Sequence, residues 1–435
     1  MKNSYMKPAF LLFFLSLSGW TAAQDLISHA IGQKSDFALV RQMSGQAKWV
    51  GYNDSPVEGN IPEYFSFSLF DTTGSINLFM KTQQAIHVKD MELSGNNLYF
   101  CGNIFDTSSM STTAVMGYFN VTEMPAPTVS YILYDSLTTL KKLDYYMLYS
   151  TKHVVMVGTG KNGKDYIVDA YHYSNPLYPN NTSWGKAWTY ITNDDAKFDD
   201  IAVVDTNVVV SARFSDSSVA YLCYIRKNTM NDRPFFSGSC IWTKMLKTGP
   251  QGPVYLQTAK YDTLYAFYRN SYYLNIHQLK GKQHLASKRI AVANLFSITP
   301  VDLVDVCADY TQNNLGVLVG NKSANTDYRL YHIPVGQFSS GGTINGHLFD
   351  YLFSLGKSWT NKRTIAVGGN GEWGFHKVQN NATGACISSL TASLLNLSTT
   401  NAGLLSREHN KTQAYSDPVI MPVISMSVVM MNQCH

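Results

Sequence analysis

The chain has 435 residues, only 15% of them charged, and a formal net charge of +4. Without any run of Lys or Arg, it lacks the footprint of a nucleic-acid-binding surface. Its 13% aromatic content, with 28 Tyr, suits strands and polar recognition surfaces better than helices.

The first residues read as an address. Lys2 and Lys7 precede an apolar run over residues 9–17, and Thr21-Ala22-Ala23 place small residues before Gln24. That order describes a secretory signal cleaved after Ala23, with an apolar run too short to span a bilayer. The expectation is an exported protein (periplasmic, cell-surface or extracellular) with one domain over residues 24–435. The most apolar later stretch, 419–431, is broken by Pro422, Ser425 and Ser427. No transmembrane segment is expected, and the chain reads as a monomer.

Beyond the signal, a short apolar run ending in a small or aromatic residue recurs about every fifty residues. The copies are Ala47-Lys48-Trp49-Val50-Gly51, Leu98-Tyr99-Phe100-Cys101-Gly102, Val154-Val155-Met156-Val157-Gly158 and Val208-Val209-Val210-Ser211-Ala212. They continue with Leu264-Tyr265-Ala266-Phe267-Tyr268, Gly316-Val317-Leu318-Val319-Gly320 and Thr364-Ile365-Ala366-Val367-Gly368. Each is preceded by another strand-like run and a polar turn, as in Asp90-Met91-Glu92-Leu93 followed by Ser94-Gly95-Asn96-Asn97. An aromatic-rich strand and a closing strand follow. This pattern predicts an all-β fold, a seven-bladed β-propeller of four-stranded antiparallel blades. Residues 25–31 have no unit of their own and are expected to close the ring within the last blade. A short helix is expected near 394–405.

The apolar run, the Gly, the later aromatic and a Trp on the closing strand (Trp188, Trp242) together resemble the kelch-type propeller, with a double glycine at Gly368-Gly369. The chain is also similar to poorly characterised exported propellers of Gram-negative bacteria. The resemblance implies a fold and a compartment, and little chemistry.

Two sets of polar residues are candidate sites. Asp90, Asp144, Asp200 and Asp302 stand near the start of the first strand of four units, where carboxylates would ring the mouth of a central channel. Their alternative role is to accept backbone hydrogen bonds and fix each unit's entry. Loops after the second strand carry Asp54, Asp106, Lys161, Arg213, Arg269, Lys322 and Glu372, which would share one face. These features predict a binding or scaffold propeller that recognises a glycan or protein through its loops. The second reading is a carbohydrate-active hydrolase or lyase using the channel-mouth carboxylates. Asn193-Asp194-Asp195 and Asp199-Asp200 form the densest acidic cluster, but lack the alternate spacing of a calcium loop.

Of six cysteines, Cys223 and Cys240 flank a loop between two strand-like runs and are expected to be bridged. Cys386 and Cys434 make a second candidate pair, whereas Cys101 and Cys307 read as buried thiols. With no C-x-x-C and scattered histidines, no metal and no cofactor are expected.

Overall fold

The computed structural model describes residues 27–31, 37–42, 48–54, 65–71, 76–82, 86–106, 109–123, 129–148, 151–174, 182–191, 196–204, 207–214, 220–226, 240–244, 252–260, 262–270, 272–280, 283–292, 302–308, 313–321, 326–349, 353–355, 363–368, 373–379, 387–397, 405–409, 424–426 and 428–430. Nearly all of them are strand. A single α-helical turn, Gln337–Ser340, and a 3-10 turn, Val121–Glu123, are the helical elements among them. No helix among the described residues is long and apolar enough to cross a membrane.

Hydrogen bonding joins the strands into six antiparallel sheets, of four, four, five, five, five and nine strands. Seven separate four-stranded blades are therefore not what forms, and the propeller and kelch expectation is corrected. The difference comes from the C-terminal residues, which read as irregular in the sequence. Ile387–Asn396 is a strand, not a helix, and its residues from Ile387 to Leu394 pair along the whole of Gly342–Phe349. Its other edge touches Gln283–Ala291 at Lys288 and Arg289. This one strand joins two meanders into the nine-stranded sheet. Leu405–His409, Ile424–Met426 and Val428–Met430 each add a fifth strand to three other sheets, against Cys240–Lys244, Val129–Tyr134 and Ile76–Thr82. Unpaired outer edges are thereby covered by the chain's own end. The strand Ile27–Ile31 pairs with Trp373–Gln379, so the N-terminal part of the chain completes a sheet formed by its later part.

The opposite edges of the sheets lie against one another in sequence order. Ile86–Ser94 contacts Leu137–Leu148, which contacts Ala196–Val204; Tyr255–Ala259 and Asp302–Ala308 follow. The sheets pack face to face, which explains the uninterrupted apolar runs. Val154, Val155, Met156 and Val157 are all inaccessible, as are Tyr265, Ala266, Phe267 and Tyr268. Between the two halves of the nine-stranded sheet, Phe267, Leu274, Ile276, Ile290, Val317 and Ile333 form a continuous apolar core.

The glycine that ends the recurring run has a packing cause. In Ile86–Ser94 the register slips between Val88 and Asp90, a β-bulge at Lys89 that bends the edge strand. Gly102 lies opposite Val88, and a Cβ there would sit 2.0 Å from the His87 carbonyl oxygen. Gly158 has the same constraint, 2.4 Å from the Thr139 oxygen, beside the slip between Leu140 and Lys142. Similar slips fall between Phe198 and Asp200 and between Leu303 and Asp305.

The expected Cys223–Cys240 bridge is also corrected. Across the ladder Cys223 lies opposite Trp242, and Cys240 lies opposite His409. The two cysteines are therefore diagonal, about 7–8 Å apart by strand geometry, beyond a disulfide's reach. Cys101 and Cys307 are buried thiols. Cys386 and Cys434 lie outside the described residues.

Candidate functional site

Three of the four expected channel carboxylates join one sheet to the next. The Asp90 carboxylate is inaccessible, and its Oδ2 accepts the Leu143 N–H at 3.1 Å. Asp144 accepts the Tyr145 N–H with one oxygen and the Val203 N–H with the other, both at 2.7 Å. Asp200, 4% exposed, accepts Ile201 at 2.9 Å and Leu256 at 2.8 Å. Each N–H comes from the neighbouring sheet's edge strand, or from the residue after the aspartate, where the ladder offers no acceptor. A carboxylate satisfies such donors more strongly than a neutral group does. Asp165 repeats the device, accepting Phe198 N–H at 2.7 Å and binding Lys141 Nζ at 2.7 Å. These aspartates hold the sheets together.

The acidic pair Asp199-Asp200 is absorbed in the same way. Arg213 Nε and Nη2 donate to Asp199 at 2.7 and 2.8 Å, and the Val254 N–H reaches Asp199 Oδ2 at 3.0 Å. Burial raises the Asp199 pKa, opposed by the hydrogen bonds and charge of Arg213. Residues 193–195 lie outside the described residues.

Arg213 and Arg269 were expected on a loop face, but both are strand residues, within Asn207–Phe214 and Thr263–Arg269. Arg213 pairs with Asp199, and the buried Arg269 faces Asp302 at 3.5 Å. The binding or scaffold reading is corrected: the separate blades do not form, and neither arginine sits on a loop face. Lys161 is exposed in a turn, and Asp106 is exposed with Ser109 Oγ donating to it at 2.7 Å. Asp54 ends the strand Lys48–Asp54, while Lys322 and Glu372 lie outside the described residues.

Asp302 differs from the other three. Its side chain is 37% exposed, and its carboxylate faces the Arg269 guanidinium. The slip between Leu303 and Asp305 inserts Val304 and turns Asp302 and Asp305 toward one face. Tyr255, on the adjacent edge strand Tyr255–Ala259, reports both. Burial raises its pKa, and the charges of Asp305, Asp200, Asp199 and Asp302 raise it further. The phenol therefore keeps its proton at neutral pH. Lys142, from the edge strand Leu137–Leu148, places Nζ 5.6 Å from the Tyr255 ring centre and 4.0 Å from Asp90. Among the described residues, Arg269 Nε is buried without a hydrogen-bond partner. Two carboxylates, a phenol and two cations thus converge from two sheets, the nine-stranded one and the sheet of Leu137–Leu148. Sequence reading had Asp302 and Arg269 in separate sets and missed Tyr255, Lys142 and Asp305. The bulge that brings Asp305 round is a register property, with no residue signature of its own.

A second polar cluster sits on the hairpin Tyr273–Lys280 and Gln283–Ala291. Ser287 Oγ lies 2.7 Å from His277 Nδ1 and 2.6 Å from His284 Nε2, and Tyr268 Oη lies 3.1 Å from His277 Nε2. His277 is inaccessible, and burial, with the charge of His284 adding, lowers its pKa to about 3.

No protein-family model matches the sequence, and no curated protein matches it. Among solved structures, the chain is similar to the Bombyx mori GH32 β-fructofuranosidase BmSUC1, at 6% identity and a TM-score of 0.31, covering 90% of this chain and 99% of that one. A point mutant of the same enzyme in complex with sucrose gives 7% identity, a TM-score of 0.31 and the same coverage. Likeness of that extent says nothing about what this chain binds or does.

Proposed function

We propose that the chain is a carbohydrate-active enzyme, a hydrolase or lyase that cuts glycosidic links at the cluster of Asp302, Asp305, Tyr255, Lys142 and Arg269. The observation that carries the reading is Asp302, its side chain 37% exposed, beside a buried guanidinium with a spare N–H. Cleaving a glycosidic bond needs a proton donor and a second acidic group facing the same bond. Asp302 and Asp305 stand on one face, with one Asp305 oxygen accepting the Val306 N–H at 2.9 Å. Tyr255 offers an aromatic surface and a hydroxyl that stays protonated. Lys142 and Arg269 offer donors to sugar hydroxyls or to a uronate carboxylate, Arg in the fork geometry that such a group matches. The chain is exported in this reading, with residues 1–23 removed, which places it where polysaccharide is met.

The test is a panel of neutral and uronate-containing polysaccharides, scored for new reducing ends and for unsaturated products. Reducing ends without unsaturation mark a hydrolase, and unsaturated products mark a lyase. Asp302→Asn is expected to abolish release while the variant stays folded, with a urea midpoint close to that of wild type. Undiminished turnover in Asp302→Asn, or no release from any polymer, overturns the reading.

A further inference from the structure

The serine–histidine cluster is separate from the carboxylate site and independent of its function. His277 and His284 are seven residues apart on paired strands, and the ladder sets Ser287 opposite His277. The slip between Gln278 and Leu279 then brings His284 toward the same place. His277 Nδ1 and His284 Nε2 are 3.4 Å apart, with Ser287 Oγ in contact with both. The hydroxyl donates to one nitrogen and accepts an N–H from the other, so both ring nitrogens face the same point.

That separation has a second meaning. Two nitrogens bound tetrahedrally to one ion at about 2.0–2.1 Å stand about 3.4 Å apart. The far side of His277 is also prepared, because Tyr268 holds Nε2 at 3.1 Å and stacks on the ring at an interplanar angle of 11°. An outer hydrogen bond of this kind fixes the tautomer and orientation of a ligating histidine.

We propose that His277 and His284 chelate a divalent transition-metal ion that prefers imidazole, Zn²⁺ or Cu²⁺, with the Ser287 hydroxyl turning from its bridging position to serve as a third donor. The partly buried ring of His284 gives the ion a route from solvent. The donors offered are two imidazole nitrogens and a hydroxyl, with no carboxylate among them, a set that suits ions binding imidazole nitrogen better than Ca²⁺ or Mg²⁺.

The experiment titrates EDTA-treated full-length protein with ZnCl₂ and CuCl₂, followed by calorimetry and, for copper, electron paramagnetic resonance. One ion per chain is expected, with no heat from Ca²⁺ or Mg²⁺ and a copper spectrum showing two nitrogen couplings. His284→Ala is expected to weaken binding by about tenfold or more, while Ser287→Ala, which keeps both imidazoles, weakens it less. Wild-type protein that binds neither ion, or a His284→Ala variant that binds as tightly as wild type, overturns the site and leaves the trio a hydrogen-bonded clasp. Should His284→Ala not fold, a wild-type copper spectrum with a single nitrogen coupling is equally decisive against it.

Discussion

Asp200→Asn isolates what the buried aspartates do. Both carboxylate oxygens are engaged, one by the Ile201 N–H at 2.9 Å and one by the Leu256 N–H at 2.8 Å. An amide of the same shape has a single acceptor oxygen, so its NH₂ must face one of two backbone N–H groups. A charge-assisted bond contributes roughly 1.5–3 kcal/mol, and a buried donor left without an acceptor costs roughly 1–3 kcal/mol. These overlap, and neutralising a buried carboxylate returns part of the loss, so the net destabilisation is about 2–3 kcal/mol. Urea unfolding at pH 7, followed by far-ultraviolet circular dichroism, reads this as a lower midpoint with an unchanged slope. Asp302→Asn is the control: its carboxylate is one-third exposed, and its loss is expected to cost about 1 kcal/mol or less. Equal midpoints for the two variants would refute the idea that Asp200 joins sheets.

Three further outcomes follow from the packing and the ionisable groups. Gly102→Ala places a methyl 2.0 Å from the His87 carbonyl, so it is expected to cost about 3 kcal/mol or more, whereas Gly95→Ala, in open space at φ +62, costs only its backbone strain of about 1 kcal/mol; similar melting of the two would contradict the close-approach account. Arg213→Ala removes the partner that holds down the raised pKa of Asp199. Because a raised carboxylate pKa penalises the charged form, the loss of about 1–2 kcal/mol at pH 7 should shrink toward pH 4, and a pH-independent loss would be the wrong sign. His277 is lowered to about 3 in the fold, so its contribution is complete above pH 6.5 and is lost as the pH falls toward 3, at up to about 1.4 kcal/mol per pH unit. His277→Phe should flatten the acid limb of the stability profile, and an unchanged slope would count against a neutral buried imidazole.

The strands were legible because burial on both faces leaves runs such as Val154 to Val157 without polar interruption. The recurring glycine was legible too, although its cause, a carbonyl of a bulged neighbour, is not. What sequence could not supply is pairing. The segment 387–430 carries short runs without the regular spacing of the earlier units, and only the partners that its strands find turn four-stranded meanders into sheets of five and nine. Cysteine spacing misled for the same reason, since the ladder sets Cys223 opposite Trp242. At the candidate site, the alternative weighed for Asp90, Asp144 and Asp200 (acceptors for backbone N–H) is what forms. Asp305 escaped notice because its approach to Asp302 depends on one inserted residue, Val304. The histidines looked scattered because a hairpin, not a spacing motif, brings His277 to His284.

The central claim is that the face shared by Asp302, Asp305 and Tyr255 cleaves glycosidic links. Its most direct measurement is the initial rate of product release from a responsive polysaccharide, compared among wild type, Asp302→Asn, Tyr255→Phe and the structural variant Gly95→Ala at equal folded concentration. The account predicts loss of turnover in Asp302→Asn, a reduced rate in Tyr255→Phe and a wild-type rate in Gly95→Ala. Equal rates in all four proteins would contradict it.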